Sequence, residues 1–326
     1  CNRVAGARIG LLWFYPVTVF LYSIGARRKR KTQLSRERQS GRGYHRALVP
    51  LSMPAMSLPR LCIVATGGTI AGAGARPQAT MAYAAGALDV AELCARVPGL
   101  DEVAVIQAEQ FAAIDSKNAT PAFWQALAAR VQALLDEGTD GVVVTHGTDT
   151  LEETAYYLHL VLKTDRPVVL VGAMRPATAL SPDGPLNLLD AVTVAAHPQA
   201  AGRGVLVALN HQVLGARDAA KTNANRPDAF TSPNAGALGW VQDGRVAWMG
   251  RPERPHTHAT PFTAATPLPP VEVLAGYAGG SAALTRAVGA TGARGLVWAG
   301  TGNGSASADA QEALDELRRD GVAVVR

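Results

Sequence analysis

The sequence predicts an α/β protein with a mostly parallel sheet, followed by a second and smaller βα domain. Short apolar runs such as residues 142–144 alternate with longer helical patterns, which is the order of a parallel α/β sheet. Glycine (33 residues) and proline (20) are frequent and aromatic residues make up only 6%, which suits neither a disordered nor a fibrous chain. Loops rich in glycine and hydroxyl groups follow two apolar runs, where open α/β sheets bind ligands.

Residues 61–250 are predicted to form the larger domain. Thr120-Pro121 has the pattern of an N-cap followed by proline at the first helical position. Asp243-Gly244 marks a hairpin within residues 239–249. A flexible loop is expected up to about residue 85, and another loop at residues 111–118. The predicted strands are 61–65, 103–106, 142–144, 168–171 and 205–209, and the predicted helices are 90–97, 122–136, 151–162 and 185–196.

The C-terminal part begins with a Pro/Thr-rich segment, residues 251–270, which we interpret as a linker between domains. Residues 271–326 repeat the βα pattern on a smaller scale, with strands at 271–274, 295–298 and 322–325 and helices at 282–288 and 307–319. The chain stops directly after a strand, and a parallel strand normally leads into a helix that covers it. We therefore expect this smaller domain to be incomplete.

The charge of the chain is unevenly distributed. Residues 1–60 contain 12 basic residues and 1 acidic residue, whereas the other 266 residues contain 19 basic and 25 acidic ones. The main part is therefore mildly acidic, and a nucleic-acid partner is not expected. Residues 9–26 carry no charge and precede a basic run, as in a membrane anchor, but Pro16 interrupts them.

The first methionines, Met53 and Met56, stand just before the first predicted strand. We therefore interpret residues 1–60 as a leader that is disordered or foreign to the natural protein, and expect a cytoplasmic protein without a membrane partner. If residues 1–52 are genuine, the alternative is a periplasmic or membrane-anchored protein. The cysteines Cys1, Cys62 and Cys94 lack the spacing of a disulfide framework, and we interpret the latter two as buried apolar residues.

Two loops at strand ends, residues 66–72 and 145–154, concentrate glycine and threonine. They match neither a Walker phosphate loop nor the dinucleotide fingerprint. Thr69 and Thr148 are candidate nucleophiles, since a threonine on a turn can attack a carbonyl if a neighbouring group activates it. Asp149 could bind an ammonium group, and Lys221 could lower the pKa of a neighbour or act as a base. The histidines are scattered without metal-ligand spacing, and no metal is predicted.

Each of these residues also has a purely structural interpretation. Thr150 and Glu153 have capping-box spacing, which indicates a helix N-terminus rather than a site. Lys221 on its own is typical of a solvated surface lysine. Only the combination of the two loops with the lysine favours catalysis.

The two loop motifs, Thr66-Gly-Gly-Thr-Ile-Ala-Gly72 and His146-Gly-Thr-Asp-Thr-Leu-Glu-Glu-Thr-Ala155, resemble the two signature motifs of the bacterial-type L-asparaginases. The likeness runs from about Leu61 to Arg326 and includes further segments: Gly172–Pro176, Asp183–Pro185 with Asn187, Asp218–Asn223 and Gly302–Gly304. It implies a two-domain, three-layer α/β fold with a larger flavodoxin-like domain. It also implies hydrolysis of L-asparagine to L-aspartate and ammonia, in some members of L-glutamine too, without a cofactor. Such enzymes are typically homotetramers, built as dimers of dimers.

The resemblance also implies roles for individual residues. Thr69 would be the nucleophile, with Tyr83 as its activating partner on a mobile lid, although an insertion or deletion lies near Tyr83. Thr148, Asp149 and Lys221 would form a second triad, in which Asp149 binds the amino group of the substrate.

Further substrate contacts are implied at Ser116, for the carboxylate, and at Asn303, which would reach the site of a neighbouring subunit. Lys117 departs from the family, which usually has Gln or Glu here to contact the substrate ammonium. The glutamate that completes the first triad in the family would lie beyond residue 326. Three alternatives stay open: a glutaminase-asparaginase, an amidase subunit of a tRNA-dependent amidotransferase, which the short basic leader argues against, and a non-catalytic amino-acid-binding relative.

Overall fold

The computed structural model describes residues 57–78, 80 and 82–326. The proposed leader lies outside the described residues up to position 56, and Arg60 already begins the first strand. The strands, in chain order, are β1 (Arg60–Gly67), β2 (Ala73–Gly74), β3 (Tyr83–Ala84), β4 (Val105–Ile114), β5 (Gly141–Thr145), β6 (Val168–Val171), β7 (Val205–Leu209), β8 (Gln212–Gly215), β9 (Ala220–Lys221), β10 (Phe230–Thr231), β11 (Gly239–Gln242), β12 (Arg245–Trp248), β13 (Val271–Ala275), β14 (Gly295–Ala299) and β15 (Ala323–Val325). The α-helices are α1 (Val90–Ala95), α2 (Leu100–Val103), α3 (Pro121–Asp136), α4 (Leu151–Val161), α5 (Gly184–Ala196), α6 (Ala282–Ala287) and α7 (Ala308–Arg319).

The larger sheet has the strand order β12-β11-β8-β7-β6-β5-β1-β4. Strands β4, β1, β5, β6 and β7 are parallel to one another. In chain order they follow the sequence 2-1-3-4-5, which is the flavodoxin-like arrangement. Strands β8, β11 and β12 extend the sheet in antiparallel fashion. The predicted hairpin around Asp243-Gly244 is confirmed as β11 and β12.

Helices cover both faces of this sheet, which gives three layers. Alternate side chains of β1 enter different cores, so that Ile63 packs with α1, α2 and α5, whereas Val64 packs with α3 and α4. Positions 142 and 143 of β5 and positions 168 and 169 of β6 are valines, and their side chains are fully buried. A strand buried on both faces has an unbroken apolar sequence, which is why these runs predict a parallel sheet.

The smaller C-terminal part has its own parallel sheet, in the order β13-β14-β15. Leu296 and Trp298 of β14 pack with Leu314 and Leu317 of α7 in a separate core. Thus the described chain contains a large and mostly parallel sheet and a smaller one, as the sequence predicts.

Most predicted elements are present, but the prediction for residues 103–118 is wrong in detail. Residues 100–103 form a short helix, and the following strand starts at Val105 and continues to Ile114, through part of the predicted loop. Thr120 is the N-cap of α3, where its hydroxyl accepts from the Phe123 amide at 3.2 Å. Cys62 is buried as expected, whereas Cys94 is only half-buried at the edge of the core.

Residues 251–270 are irregular apart from one short 3-10 turn, and they lie against α4. The ammonium group of Lys163 fixes them by donating to the carbonyl oxygens of Thr257 (2.8 Å) and Thr260 (2.7 Å). Among the described residues, no helix combines the length and the apolar character that a membrane crossing requires.

Candidate active site

The two glycine-containing loops lie side by side because their strands are neighbours. Within the parallel part of the sheet, β1 is paired on one side with β4 and on the other with β5, so chain order reverses at β1. Ligands bind outside the carboxyl ends of the strands at such a switch point. Ala65 of β1 pairs with Thr145 of β5, which places residues 66–72 and 145–154 at the same sheet edge.

The backbones of these loops touch at two glycines. A Cβ atom on Gly68 would lie 2.3 Å from the Cα atom of Gly147, so no other residue fits at position 68. Gly68 also has a φ angle of 80°, which glycine adopts without strain. Gly147 is equally confined, since a Cβ atom there would lie 2.6 Å from Oγ of Ser116. Three segments are therefore packed into direct contact: the first loop, the second loop and the turn at Ser116.

Thr69 begins a 3-10 turn directly after this contact, and its side chain is buried. Its hydroxyl oxygen lies 2.6 Å from the phenolic oxygen of Tyr83. Tyr83 is held in place because it pairs with Gly74 in a two-stranded antiparallel sheet. The pairing of β2 with β3 therefore fixes the backbone at Tyr83; residues 79 and 81, between these two strands, lie outside the described residues.

Thr148 is the centre of a second group of polar side chains. The ammonium group of Lys221 donates to its hydroxyl oxygen at 2.9 Å and to Oδ1 of Asp149 at 2.6 Å. The Thr148 oxygen accepts this bond, so its own proton can be donated elsewhere. Oδ2 of Asp149 makes no hydrogen bond within the described part of the chain, and this side chain is 56% exposed. It can therefore accept from a bound cationic group.

Lys221 reaches Thr148 from β9, 73 residues further along the chain. Its backbone amide donates to Oε2 of Glu152, on the first turn of α4. The side chain of Lys221 is only 17% exposed and makes two hydrogen bonds. The interpretation of Lys221 as a solvated surface lysine is therefore wrong.

Both groups line one cleft of about 140 Å³. This cleft is lined by three threonines, a phenol, a carboxylate and an ammonium group, and its residues are Thr69, Thr80, Tyr83, Thr148, Asp149, Met174, Lys221, Ala224 and Asn225. Such a set of groups can supply a nucleophile, hydrogen-bond donors and a binding site for an ammonium group. Among the described residues, no three His, Cys, Asp or Glu side chains are grouped so that they could hold a metal ion.

Ser116 and Lys117 lie in the short turn beside the cleft. Ser116 is buried against Gly147. The side chain of Lys117 is 66% exposed and forms an ion pair with Asp115 at 2.8 Å. The hydrogen bond with Asp115 raises the pKa of Lys117, and the charge of Asp149 contributes further in the same direction. The cation at position 117 thus has an internal counter-ion.

Asn303 does not line the cleft of its own chain. It lies in an exposed turn that is closed by the pairing of Thr301 with Ser305. The structure thus brings together Thr69, Tyr83, Thr148, Asp149 and Lys221, places Ser116 and Lys117 beside them, and leaves Asn303 apart.

The capping-box prediction for Thr150 and Glu153 is wrong. Thr150 occupies the N-cap position of α4, but its side chain makes no capping bond. Instead, its hydroxyl donates to the backbone carbonyl of Ser116 at 2.9 Å. The threonine therefore joins the second loop to the turn beside the cleft.

Some residues of the site were not predicted from the sequence. Met174 and Asn225 line the cleft without having been chosen as site residues, although both belong to or follow segments of the family likeness. Asp183 supports Met174 because its carboxylate accepts from the Met174 amide at 2.9 Å. Glu152 was missed because its contact with Lys221 joins distant parts of the chain, and no local signal predicts it.

Comparison with known proteins identifies the family to which the chain belongs. The family model described as "Asparaginase, N-terminal" matches residues 60–254, and the "Glutaminase/Asparaginase C-terminal domain" matches residues 270–326. The chain belongs to the asparaginase family. The resemblance found in the two loop motifs is confirmed.

Asparaginase relatives cover most of the chain. A probable periplasmic L-asparaginase of Haemophilus influenzae is 45% identical over 83% of this chain and 78% of its own length. A glutaminase-asparaginase of Pseudomonas fluorescens is 44% identical over 82% of this chain and 75% of its own length. The crystal structure of a probable cytoplasmic L-asparaginase from Campylobacter jejuni has a TM-score of 0.80 and 45% identity, and covers 82% of each chain. The predicted fold class is therefore confirmed for this asparaginase.

Proposed function

We propose that the protein hydrolyses the side-chain amide of L-asparagine to L-aspartate and ammonia. The observation that carries the proposal is the single cleft between Thr69–Tyr83 on one side and Thr148–Asp149–Lys221 on the other. The cleft is small, as an amino-acid substrate requires. Relatives named L-asparaginase support the choice of substrate.

Thr69 is the proposed nucleophile. Its hydroxyl oxygen attacks the amide carbon, while the phenolic oxygen of Tyr83, at 2.6 Å, accepts the threonine proton and Tyr83 gives its own phenolic proton to the amide nitrogen. The C–N bond then breaks, the nitrogen leaves as ammonia with that proton, and the aspartyl group remains as an ester on Thr69. Attack by water on this ester releases L-aspartate and restores the threonine.

The second triad serves the substrate and the water step. Thr148 accepts a bond from Lys221, so its own hydroxyl proton is available to orient substrate or water in the cleft. Lys221 makes loss of that proton less costly because an ammonium group stabilises an adjacent oxyanion. Asp149 uses its unbonded carboxylate oxygen for the α-ammonium group of the substrate.

Ser116 is proposed to bind the α-carboxylate, from its position against Gly147. Lys117 would repel the substrate ammonium if it pointed into the cleft. Its ion pair with Asp115 supports a different arrangement, in which the cation is held at the rim and largely neutralised.

The second candidate function is a glutaminase-asparaginase. It is favoured by the 44% identity to the Pseudomonas fluorescens enzyme of that name. Both candidates use the same residues and differ only in the length of the substrate side chain.

We further propose that the full-length form is a cytoplasmic homo-oligomer, a dimer of dimers, in which Asn303 approaches the cleft of a neighbouring subunit. Exposure of Asn303 in its turn supports this contact. The Campylobacter jejuni relative is named as cytoplasmic and the Haemophilus influenzae relative as periplasmic, so fractionation of cells that express the natural gene is the test. Light scattering tests the assembly.

The domain boundaries, 61–250 and 271–326 with a linker at 251–270, are also proposals, and limited proteolysis within the linker tests them.

The proposed function is tested by ammonia release from L-asparagine and L-glutamine. The wild type, Thr69→Val and Thr148→Val are compared. We expect both variants to fold and to lose the release of ammonia from asparagine. Binding of asparagine by the wild type without release would support the non-catalytic alternative, and equal rates on both amides would favour the glutaminase-asparaginase.

A further inference from the structure

A continuous series of hydrogen bonds runs beneath the two loops, among residues that the catalytic proposal does not use. Trp124 Nε1 lies 2.9 Å from Thr154 Oγ1, which lies 2.8 Å from His146 Nε2. His146 Nδ1 lies 2.7 Å from Thr66 Oγ1, which lies 2.8 Å from the carbonyl oxygen of Thr145. The series starts on α3, passes through α4 and the second loop, and reaches the first loop.

The direction of every bond follows from the two ends together with a neutral imidazole. A carbonyl oxygen only accepts, so the single hydroxyl proton of Thr66 is directed at Thr145. Thr66 Oγ1 must then accept from His146, and Nδ1 of the imidazole carries the proton. At the other end the Trp124 indole only donates. Because a neutral imidazole with a protonated Nδ1 has an unprotonated Nε2, the Thr154 hydroxyl donates to Nε2 of His146. This assigns the Nδ1–H tautomer to His146 and satisfies every donor in the series.

The surroundings of His146 hold it in the neutral form. Its side chain is fully buried, as are those of Thr66 and Thr154. The Phe123 ring is stacked on the imidazole, with centroids 6.0 Å apart. Burial lowers the pKa of His146 to about 4, so the imidazole carries one proton at neutral pH, as the bond directions require.

This imidazole links the two loops by side chains, next to the point where their backbones touch. Thr66 stands three residues before Thr69, and His146 stands two residues before Thr148. The Gly68–Gly147 contact leaves no room to shift one loop toward the other. The bond from His146 to Thr66 opposes the reverse movement, because separating the loops would leave a buried N–H without an acceptor.

We propose that His146 is a positioning residue that sets the separation between Thr69 and Thr148 through its Nδ1–H bond to Thr66. It touches no substrate, and this role rests on the proposed threonine mechanism. The bond to Thr154 fixes the tautomer, whereas the bond to Thr66 joins the loops. The two bonds therefore have different consequences for the reaction.

Two substitutions separate the bonds. In His146→Asn the amide nitrogen lies near the position of Nδ1 and keeps a donor for Thr66, whereas His146→Gln places its amide near Nε2 and loses that donor. Thr66→Val removes the acceptor itself. Thr193→Val is the matched control, since this buried hydroxyl also donates to a backbone carbonyl at 2.8 Å, but on α5 away from the cleft.

The variants are compared by kcat and KM for asparagine and by melting temperature. We expect kcat to fall at least about 10-fold in His146→Gln and Thr66→Val, since displacement of reacting groups by about 1 Å costs up to 100-fold. His146→Asn should retain more activity than His146→Gln, and Thr193→Val should keep the wild-type kcat despite a lower melting temperature. Equal kcat in Thr66→Val and Thr193→Val would overturn the positioning role.

Nitrogen NMR of the wild type provides a readout that does not depend on activity. The His146 signal, identified by its loss in His146→Asn, should have a protonated Nδ1 and an unprotonated Nε2. The opposite tautomer would overturn the assignment and the proposal with it. A wild type that releases no ammonia from either amide would overturn the proposed function instead, so the two failures are distinguishable.

Discussion

The ammonium group of Lys221 lies 2.9 Å from the hydroxyl oxygen of Thr148 and 2.6 Å from Asp149. Among the described residues, Lys221 is the only lysine that lines the cleft. In the proposed mechanism, a cation between a hydroxyl and a carboxylate has two effects: it stabilises negative charge on the hydroxyl oxygen, and it orients the carboxylate for a substrate ammonium group.

Replacement of this cation should affect turnover more than folding. We expect Lys221→Met to lower kcat by about 10²–10⁴-fold, the usual range for loss of a group that assists proton transfer. Lys163→Met is the control, because Lys163 also donates to oxygen atoms but lies outside the cleft. Ammonia release and thermal melting are measured for both. If Lys163→Met loses as much kcat as Lys221→Met at equal folded fraction, the role of Lys221 is contradicted.

Glu152 should matter through the backbone of Lys221. Its carboxylate accepts from the Lys221 amide, which fixes the start of the lysine side chain. Glu152→Ala removes the acceptor, and we expect a loss of about 10-fold in kcat, since remote misplacement of a catalytic group is costly. Glu152→Gln keeps an acceptor oxygen and should remain close to wild type. Similar kinetics of the two variants would exclude this contribution.

The ion pair of Lys117 with Asp115 predicts an effect on substrate affinity. Asp115→Asn removes the counter-ion and leaves a free cation at the rim of the cleft. We expect KM for asparagine to rise about two- to fivefold, as the exposed position limits the effect, and the rise should shrink at high salt. Lys117→Gln combined with Asp115→Asn should restore KM. A KM that stays raised in the double variant would show that the charge of Lys117 is not the cause.

Stability should fall on acidification because two histidines are buried in neutral form. Burial lowers the pKa of His146 and of His159 from 6.5 to about 4. Between these values the unfolded chain binds protons that the folded chain does not, so the free energy of unfolding decreases as pH falls. Asp190 acts in the opposite direction, since burial raises its pKa to about 6 and the folded form takes up a proton there.

His159→Asn measures one of these contributions, because Asn can still accept from the Val205 amide. Denaturant unfolding at pH 7 and pH 5 gives the loss of stability on acidification. That loss should be about 1–2 kcal/mol smaller in the variant than in the wild type. If the variant and the wild type lose the same free energy of unfolding between pH 7 and pH 5, the lowered pKa of His159 is contradicted.

The sequence predicts the larger domain well because its strands are buried on both faces. The run at residues 141–145 can form little else than a central strand, and its loop motif is long enough to indicate the family. Residues 100–106 are harder to predict, because a stretch this short contains only a few apolar positions, which fit the period of a helix and that of a strand equally well. In the structure, packing against β1 decides in favour of a helical turn followed by a long strand.

The candidate site could be predicted in its residues but not in its connections. Thr69, Thr148, Asp149 and Lys221 stand in or near recognisable motifs. Contacts such as Glu152 with Lys221, or Gly68 with Gly147, depend on how distant segments meet, and spacing along the chain contains no information about that. Thr150 illustrates the same limit, since its local pattern predicts a cap and the neighbouring turn supplies a different acceptor.

The central claim is that Thr69 is the nucleophile, and the most direct test is the turnover of Thr69→Val on asparagine. The variant keeps the shape of the side chain and removes the oxygen that lies 2.6 Å from Tyr83. We predict a loss of about 10³-fold or more in kcat, with asparagine binding and melting temperature close to wild type. A kcat of Thr69→Val within about 10-fold of the wild-type value would contradict the account, because loss of a nucleophile lowers kcat by more than that.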